Sequence, residues 1–188
     1  MVWKASQKQK GFTLVEIVIV LVIIGLLLGG VLKGQELITN AKIKSVTDDF
    51  SSISTAYYAY RDREGHLAGD GTTASPRIYD NVITDPLFWF DLRTAGFITG
   101  AAEDGATDTG PIHSFEGVWT ALPAGGLFSG ANHICASGVE DVYAKGMDIK
   151  MDDGDATAGS IRSGTDAAAT VALPYTAVGT LVTVCKEL

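Results

Sequence analysis

The stretch KGFTLVEIVIVLVIIGLLLGG, residues 10–30, decides how the rest of the chain is read. From 12 to 32 there are twenty-one residues, and Thr13 and Glu16 are the only clearly polar ones among them. At 1.5 Å of rise per residue, a helix of that length spans about 30 Å, the thickness of a bilayer core. A secretory signal has a shorter apolar region followed by a small-residue cleavage site. Here no Ala-x-Ala follows; Gly29 and Gly30 lead into Lys33 and a helical pattern. The segment therefore predicts a retained anchor. Residues 1–11 carry Lys4, Lys8 and Lys10 and no acid, whereas the chain of 188 residues has a net charge of −8. A short basic amino terminus on an acidic body predicts that this end stays on the cytoplasmic side. The acidic balance also argues against nucleic acid as the main partner, because phosphate binding needs a basic face.

Glu16 is the anomaly in the anchor. A carboxylate within a membrane helix costs a few kcal/mol, about 3 on insertion scales, and is a functional hypothesis by default. Either it sits near enough to the surface to reach headgroups, or it has a positive partner. A free amino terminus at Phe12 would supply one, a helical turn away or on a neighbouring helix.

Lys10-Gly11-Phe12-Thr13-Leu14-Val15-Glu16 followed by an apolar run resembles the amino-terminal signature of type IV pilins and of the pseudopilins of type II secretion. The K-G-F-T-L-V-E string is present without departure. The resemblance implies a leader removed by prepilin peptidase between Gly11 and Phe12, with N-methylation of the new Phe12 amino group. It implies that Glu16 pairs with the Phe12 ammonium of an adjacent subunit during assembly. The implied partners are further copies of the chain in a homopolymer filament, related minor pilins, an inner-membrane assembly platform with its ATPase, and membrane lipid before assembly. The implied location is the bacterial inner membrane, single pass with the head in the periplasm, then a cell-surface or periplasmic filament.

Three functions compete on this reading. The first is the structural subunit of a type IV pilus-like filament serving adhesion, motility or DNA uptake. The second is a pseudopilin driving protein export. The third, from another class, is a single-pass periplasmic binding domain that never polymerises. The expected organisation is a leader at 1–11, a transmembrane or filament-core helix at 12–33, an amphipathic second half of that helix at 34–65, and a globular head at 66–188.

Beyond Lys33, Ile43, Val46, Phe50, Ile53, Tyr57 and Tyr60 recur at spacings of three and four, the apolar stripe of an amphipathic helix. Gly65 is a plausible C-cap, so the first helix is expected over 12–64. Gly25, Gly29, Gly30 and Gly34 fall where the apolar run ends. Glycine costs about 1 kcal/mol against alanine in a helix. The pairs Gly25/Gly29 and Gly30/Gly34 also have the small-xxx-small spacing that lets helices approach closely. Both close packing and local melting in a filament are expected there.

After Gly65 the composition turns to glycine, threonine, alanine and aspartate. A turn is expected at 65–70, a short helix or turn at 87–92, and strands at 117–122, 132–136, 160–162 and 179–185. Phe88, Trp89 and Phe90 are read as core or subunit contacts. Ser137 and Glu140 have capping-box spacing for a helix running to about Lys150. The fold class is α+β: a long amino-terminal helix, membrane half plus amphipathic half, packed on a small antiparallel sheet in a pilin-like head. Loops at 99–110 and 153–170 are expected at the surface.

If the head is exported, a disulfide between Cys135 and Cys185 is the economical reading, closing a loop of about fifty residues; two separate buried thiols are the alternative. Asp148, Asp152, Asp153 and Asp155 invite a calcium reading. They miss the EF-hand spacing and lack a closing glutamate, so an acidic turn satisfied by backbone amides is favoured and no cofactor is required. His66, His113 and His133 have no metal-ligand spacing. No H-E-x-x-H, G-x-S-x-G or phosphate loop occurs, and the chain is not read as an enzyme.

Overall fold

The computed structural model describes residues 11–72, 77–166, 168, 171–176 and 179–188. Lys4, Lys8, Lys10 and the rest of the expected leader before Gly11 lie outside the described residues, as do parts of the loop at 153–170. The chain divides into two units, Met1–Asn40 and Ala41–Leu188.

The first unit is helical from Leu14 onward, in the opening portion of α1 (Leu14–Glu64). Its large apolar side chains from Leu14 to Leu32 are exposed, and by length and composition the helix can cross a membrane. Gly25, Gly29, Gly30 and Gly34 all lie within the helix, and a Cβ added at any of them meets nothing within 4 Å.

In the second unit the remainder of α1 is amphipathic. Ile43, Val46, Phe50, Ile53, Tyr57 and Tyr60 are all buried, so the spacing read from the sequence is the buried stripe. Gly65 follows at φ 78°, and its amide donates to Arg61 O at 2.9 Å, which ends the helix. A second helix, α2 (Asp85–Thr94), starts with Pro86 in its first turn, where the missing N–H costs nothing. Four antiparallel strands follow: β1 (Trp119–Leu122), β2 (His133–Glu140), β3 (Ile161–Gly164) and β4 (Leu181–Glu187), in the order β1-β2-β4-β3. Alternation sorts their side chains. Ile134, Ala136, Val182 and Val184 join the α1 stripe, Phe88, Trp89 and Leu92 in the main core. Cys135 and Cys185 point to the other face, where Leu127 and Phe128 cover them. Phe50 meets Trp119 edge-on with centroids 4.5 Å apart, tying α1 to β1.

One expectation is corrected. Ser137 does not cap a helix: β2 runs through it to Glu140, and α3 (Asp141–Met151) begins four residues later. The reason is a bulge between Ala136 and Val139, with Gly138 at φ 70°. The Ser137 hydroxyl accepts from Val118 N at 3.0 Å and donates to Val118 O at 3.1 Å, so it completes the sheet edge instead. Glu140, at the helix N-cap, makes no side-chain capping bond.

Phe88 and Trp89 are fully buried and Phe90 half-buried, as a core reading requires. The loop at 99–110 is mostly exposed, with Asp108 and Gly110 buried. Arg93 pairs with the Asp108 carboxylate and donates to Thr109 O at 2.8 Å, pinning that end of the loop to α2.

Candidate functional site: the amino-terminal segment

Gly11, Phe12 and Thr13 precede the helix, and Phe12 is 85% exposed. Thr13 stands immediately before Leu14, and Glu16 is three residues on. The Glu16 amide donates to Thr13 Oγ1 at 3.3 Å, while Glu16 Oε2 accepts from the Thr13 amide and hydroxyl, both at 2.9 Å. This is a reciprocal capping box, which satisfies two of the amides that a helix start leaves orphaned. In the uncut chain the Glu16 carboxylate therefore has partners, and they lie on Thr13 rather than on Phe12. Sequence reasoning weighed lipid headgroups and a free amine and missed Thr13, although the T-x-x-E spacing of the box is legible. The arrangement also places a negative charge in the first helical turn, where the macrodipole favours it.

The same exposed helix carries the four glycines. Among the described residues nothing lies within 4 Å of a Cβ built at any of them, which leaves room for a neighbouring helix to approach.

In the head, Cys135 and Cys185 form a disulfide across β2 and β4, whose register places them opposite each other. It closes the loop of 50 residues that spans α3 and β3.

The acidic cluster is partly assembled. Asp148, Asp152 and Asp153 bring carboxylate oxygens within 4.8 Å of one another. Asp155 stays apart, its carboxylate taken by the Thr157 hydroxyl at 2.7 Å and amide at 2.9 Å, which lowers its pKa. Asp152 Oδ2 accepts from the amides of Ser160 and Ile161, at 2.5 and 3.0 Å, and from the Ser160 hydroxyl at 3.2 Å. Asp148 is fully buried and accepts from Gly154 N at 3.2 Å and Tyr175 O–H at 2.9 Å; burial raises its pKa. Calcium takes six to eight oxygen ligands. Two of these three carboxylates are committed to building the turn, so the donor set does not fit it well.

The histidines stay dispersed. His113 and His133 are buried separately, and burial lowers both pKa values. His113 Nε2 lies 2.9 Å from Ser137 O and Nδ1 accepts from Phe115 N at 3.3 Å, which sets the neutral ring with its proton on Nε2. His66 stacks on Tyr79, with centroids 4.2 Å apart. These are packing roles.

The family model of the prokaryotic N-terminal methylation motif matches residues 6–32. No curated protein and no solved structure matches the chain. The chain carries the prokaryotic N-terminal methylation motif, the signature of type IV pilins and pseudopilins, at the head of a long helix that leads into an α+β head of pilin-like type.

Proposed function

We propose that this chain is the precursor of a filament subunit, cut between Gly11 and Phe12 by prepilin peptidase, methylated on Phe12, and polymerised from the inner membrane through its 12–33 helix. The observation that carries the reading is the methylation motif on a helix whose large apolar side chains from Leu14 to Leu32 are exposed. Such a surface needs lipid first and other helices later. Cleavage frees a cationic amine one residue before the Thr13–Glu16 box. A charge pair in low dielectric stabilises only with a well-placed partner, so Glu16 selects the register in which a neighbour's Phe12 ammonium reaches it. Gly25, Gly29, Gly30 and Gly34 provide close approach in the filament core and, under load, points of local melting.

The role is structural, without a catalytic centre or cofactor, and the periplasm is the head's compartment before assembly. Between a pilus-like filament and an export pseudopilin, the exposed polar loop over 99–107 supports surface display, where such a loop has room.

Intact mass and amino-terminal sequencing of the membrane form test the processing step. The expected product begins with N-methyl-phenylalanine at Phe12; an unmethylated chain starting at Met1 refutes the reading. Polymerisation is tested by Glu16→Ala, which should abolish incorporation into sheared filaments. A single-pass binding domain would tolerate that change. A deletion strain that loses secretion while keeping its surface fibres would move the assignment to the export system.

A further inference from the structure

Along the head portion of α1 lies a recess of about 390 Å³, lined by the apolar Ile53, Phe97, Ile98, Ile112 and Trp119 together with the polar Asp49, Ser52 and Thr99. Two facts set it apart from an ordinary surface groove. Ile112 is 73% exposed, a large aliphatic side chain left in water. Asp49 is half-buried and has no hydrogen bond or ion pair among the described residues, and its pKa is raised by burial and by Asp48. The nearby cation Lys44 is already taken by Asp48 at 2.5 Å. A half-buried carboxylate without a partner, beside exposed apolar side chains, suits a cation carried between apolar groups.

The same head presents that complement elsewhere. On α3, Val142, Lys145 and Ile149 stand at spacings of three and four on one outward face. Val142 and Ile149 are 48% and 60% exposed, and Lys145 is exposed with no hydrogen bond or ion pair among the described residues. The recess lies beside β1, an edge strand, whereas α3 packs over β2, β3 and β4. They are distinct patches of one head.

We infer that the outward face of α3 in one copy docks into the Asp49 recess of the next, with Lys145 against Asp49 and Val142 and Ile149 against Ile98 and Ile112. The pairing is heterologous, because the two patches differ; contacts of that kind propagate instead of closing into a two-fold dimer. The inference rests on the filament reading and adds to it the contact between heads.

The test is a charge swap in the full chain, expressed in a strain that assembles it, with filaments sheared and sedimented. Asp49→Lys and Lys145→Asp should each lower sedimentable polymer about tenfold or more, as expected for loss of a partly desolvated charge pair. The double swap should restore it. A second variant, Asp49→Cys with Lys145→Cys, should give an oxidised ladder of dimers, trimers and higher species. Wild-type polymer that depends on Glu16, combined with unaffected single swaps or an unrescued double swap, overturns the docking contact and leaves the filament reading standing. A cross-linked product containing a different protein, without a ladder, overturns it as well. Absence of polymer from the unsubstituted chain removes both.

Discussion

Phe50→Ala is the most direct test of how the head is held on its helix. The ring is 0% exposed, lies mid-stripe between Val46 and Ile53, and meets Trp119 edge-on at 4.5 Å. Truncating a buried phenylalanine costs about 3–5 kcal/mol, lost transfer energy plus the cavity. About 0.5–1.5 kcal/mol of that belongs to the aromatic pair. Since domains are stable by only about 5–15 kcal/mol, a loss of this size removes a large share of the head's stability. Phe50→Leu keeps most of the volume and should cost about 1–2 kcal/mol. Thr55→Ala is the control on the opposite face: Thr55 is exposed and its hydroxyl bonds only back to Ser51 O at 2.8 Å, so its effect should stay within about 0.5 kcal/mol. The assay is urea titration of the intact chain in detergent micelles, followed by tryptophan fluorescence, with stability taken by linear extrapolation. A Phe50→Ala loss below about 1 kcal/mol, or one no larger than that of Thr55→Ala, would refute the packing argument.

Replacing Cys135 and Cys185 together by alanine should cost about 2–4 kcal/mol in the same titration, through a less constrained unfolded chain; an unchanged midpoint would show the bond to be idle. The buried histidines predict an acid-sensitive head. Their folded pKa values lie below the unfolded value, so the stabilisation is complete above about pH 6.5 and is lost as pH falls from there toward the folded values, by up to about 1.4 kcal/mol per unit for each ring. His113→Gln with His133→Gln should flatten the stability profile across that window; an unaltered slope would assign it elsewhere. Adding excess EGTA should leave the melting temperature unchanged, since Asp148 and Asp152 already serve backbone amides and the Tyr175 and Ser160 hydroxyls. A drop of several degrees would point to a bound cation.

Periodic features were legible. The α1 stripe from Ile43 to Tyr60, the helix end before Gly65 and all four strand positions follow from apolar spacing and turn residues, because burial imposes a period on the chain. Buried polar contacts were not. Asp91 is locked by Gly69 N at 2.7 Å and by a bidentate Arg77 at 2.7 and 2.8 Å, and Asp85 accepts from Trp89 Nε1 at 2.8 Å and Ala121 N at 2.6 Å. Most of these partners lie 14 to 36 residues away, and no local pattern announces them. The start of α3 was misplaced for a related reason: Ser137 and Glu140 have the spacing of a cap, but strand pairing across the bulge claims the serine. At the amino terminus the charge of Glu16 stands out against the apolar run, whereas its partner Thr13 is legible only as the T-x-x-E spacing of a helix start.

The Thr13–Glu16 box has a consequence for how the chain is read by a protease. A helix hides its peptide bonds, whereas a protease binds its substrate in extended form. By fixing the first helical residue at Leu14, the box acts as a brake that stops the long apolar helix from winding back through Thr13. The Gly11–Phe12 bond is thereby kept two residues ahead of the helix, as unwound chain. On the proposed filament reading, the residue that pairs with a neighbour's amine also keeps the bond that generates such an amine open to cutting.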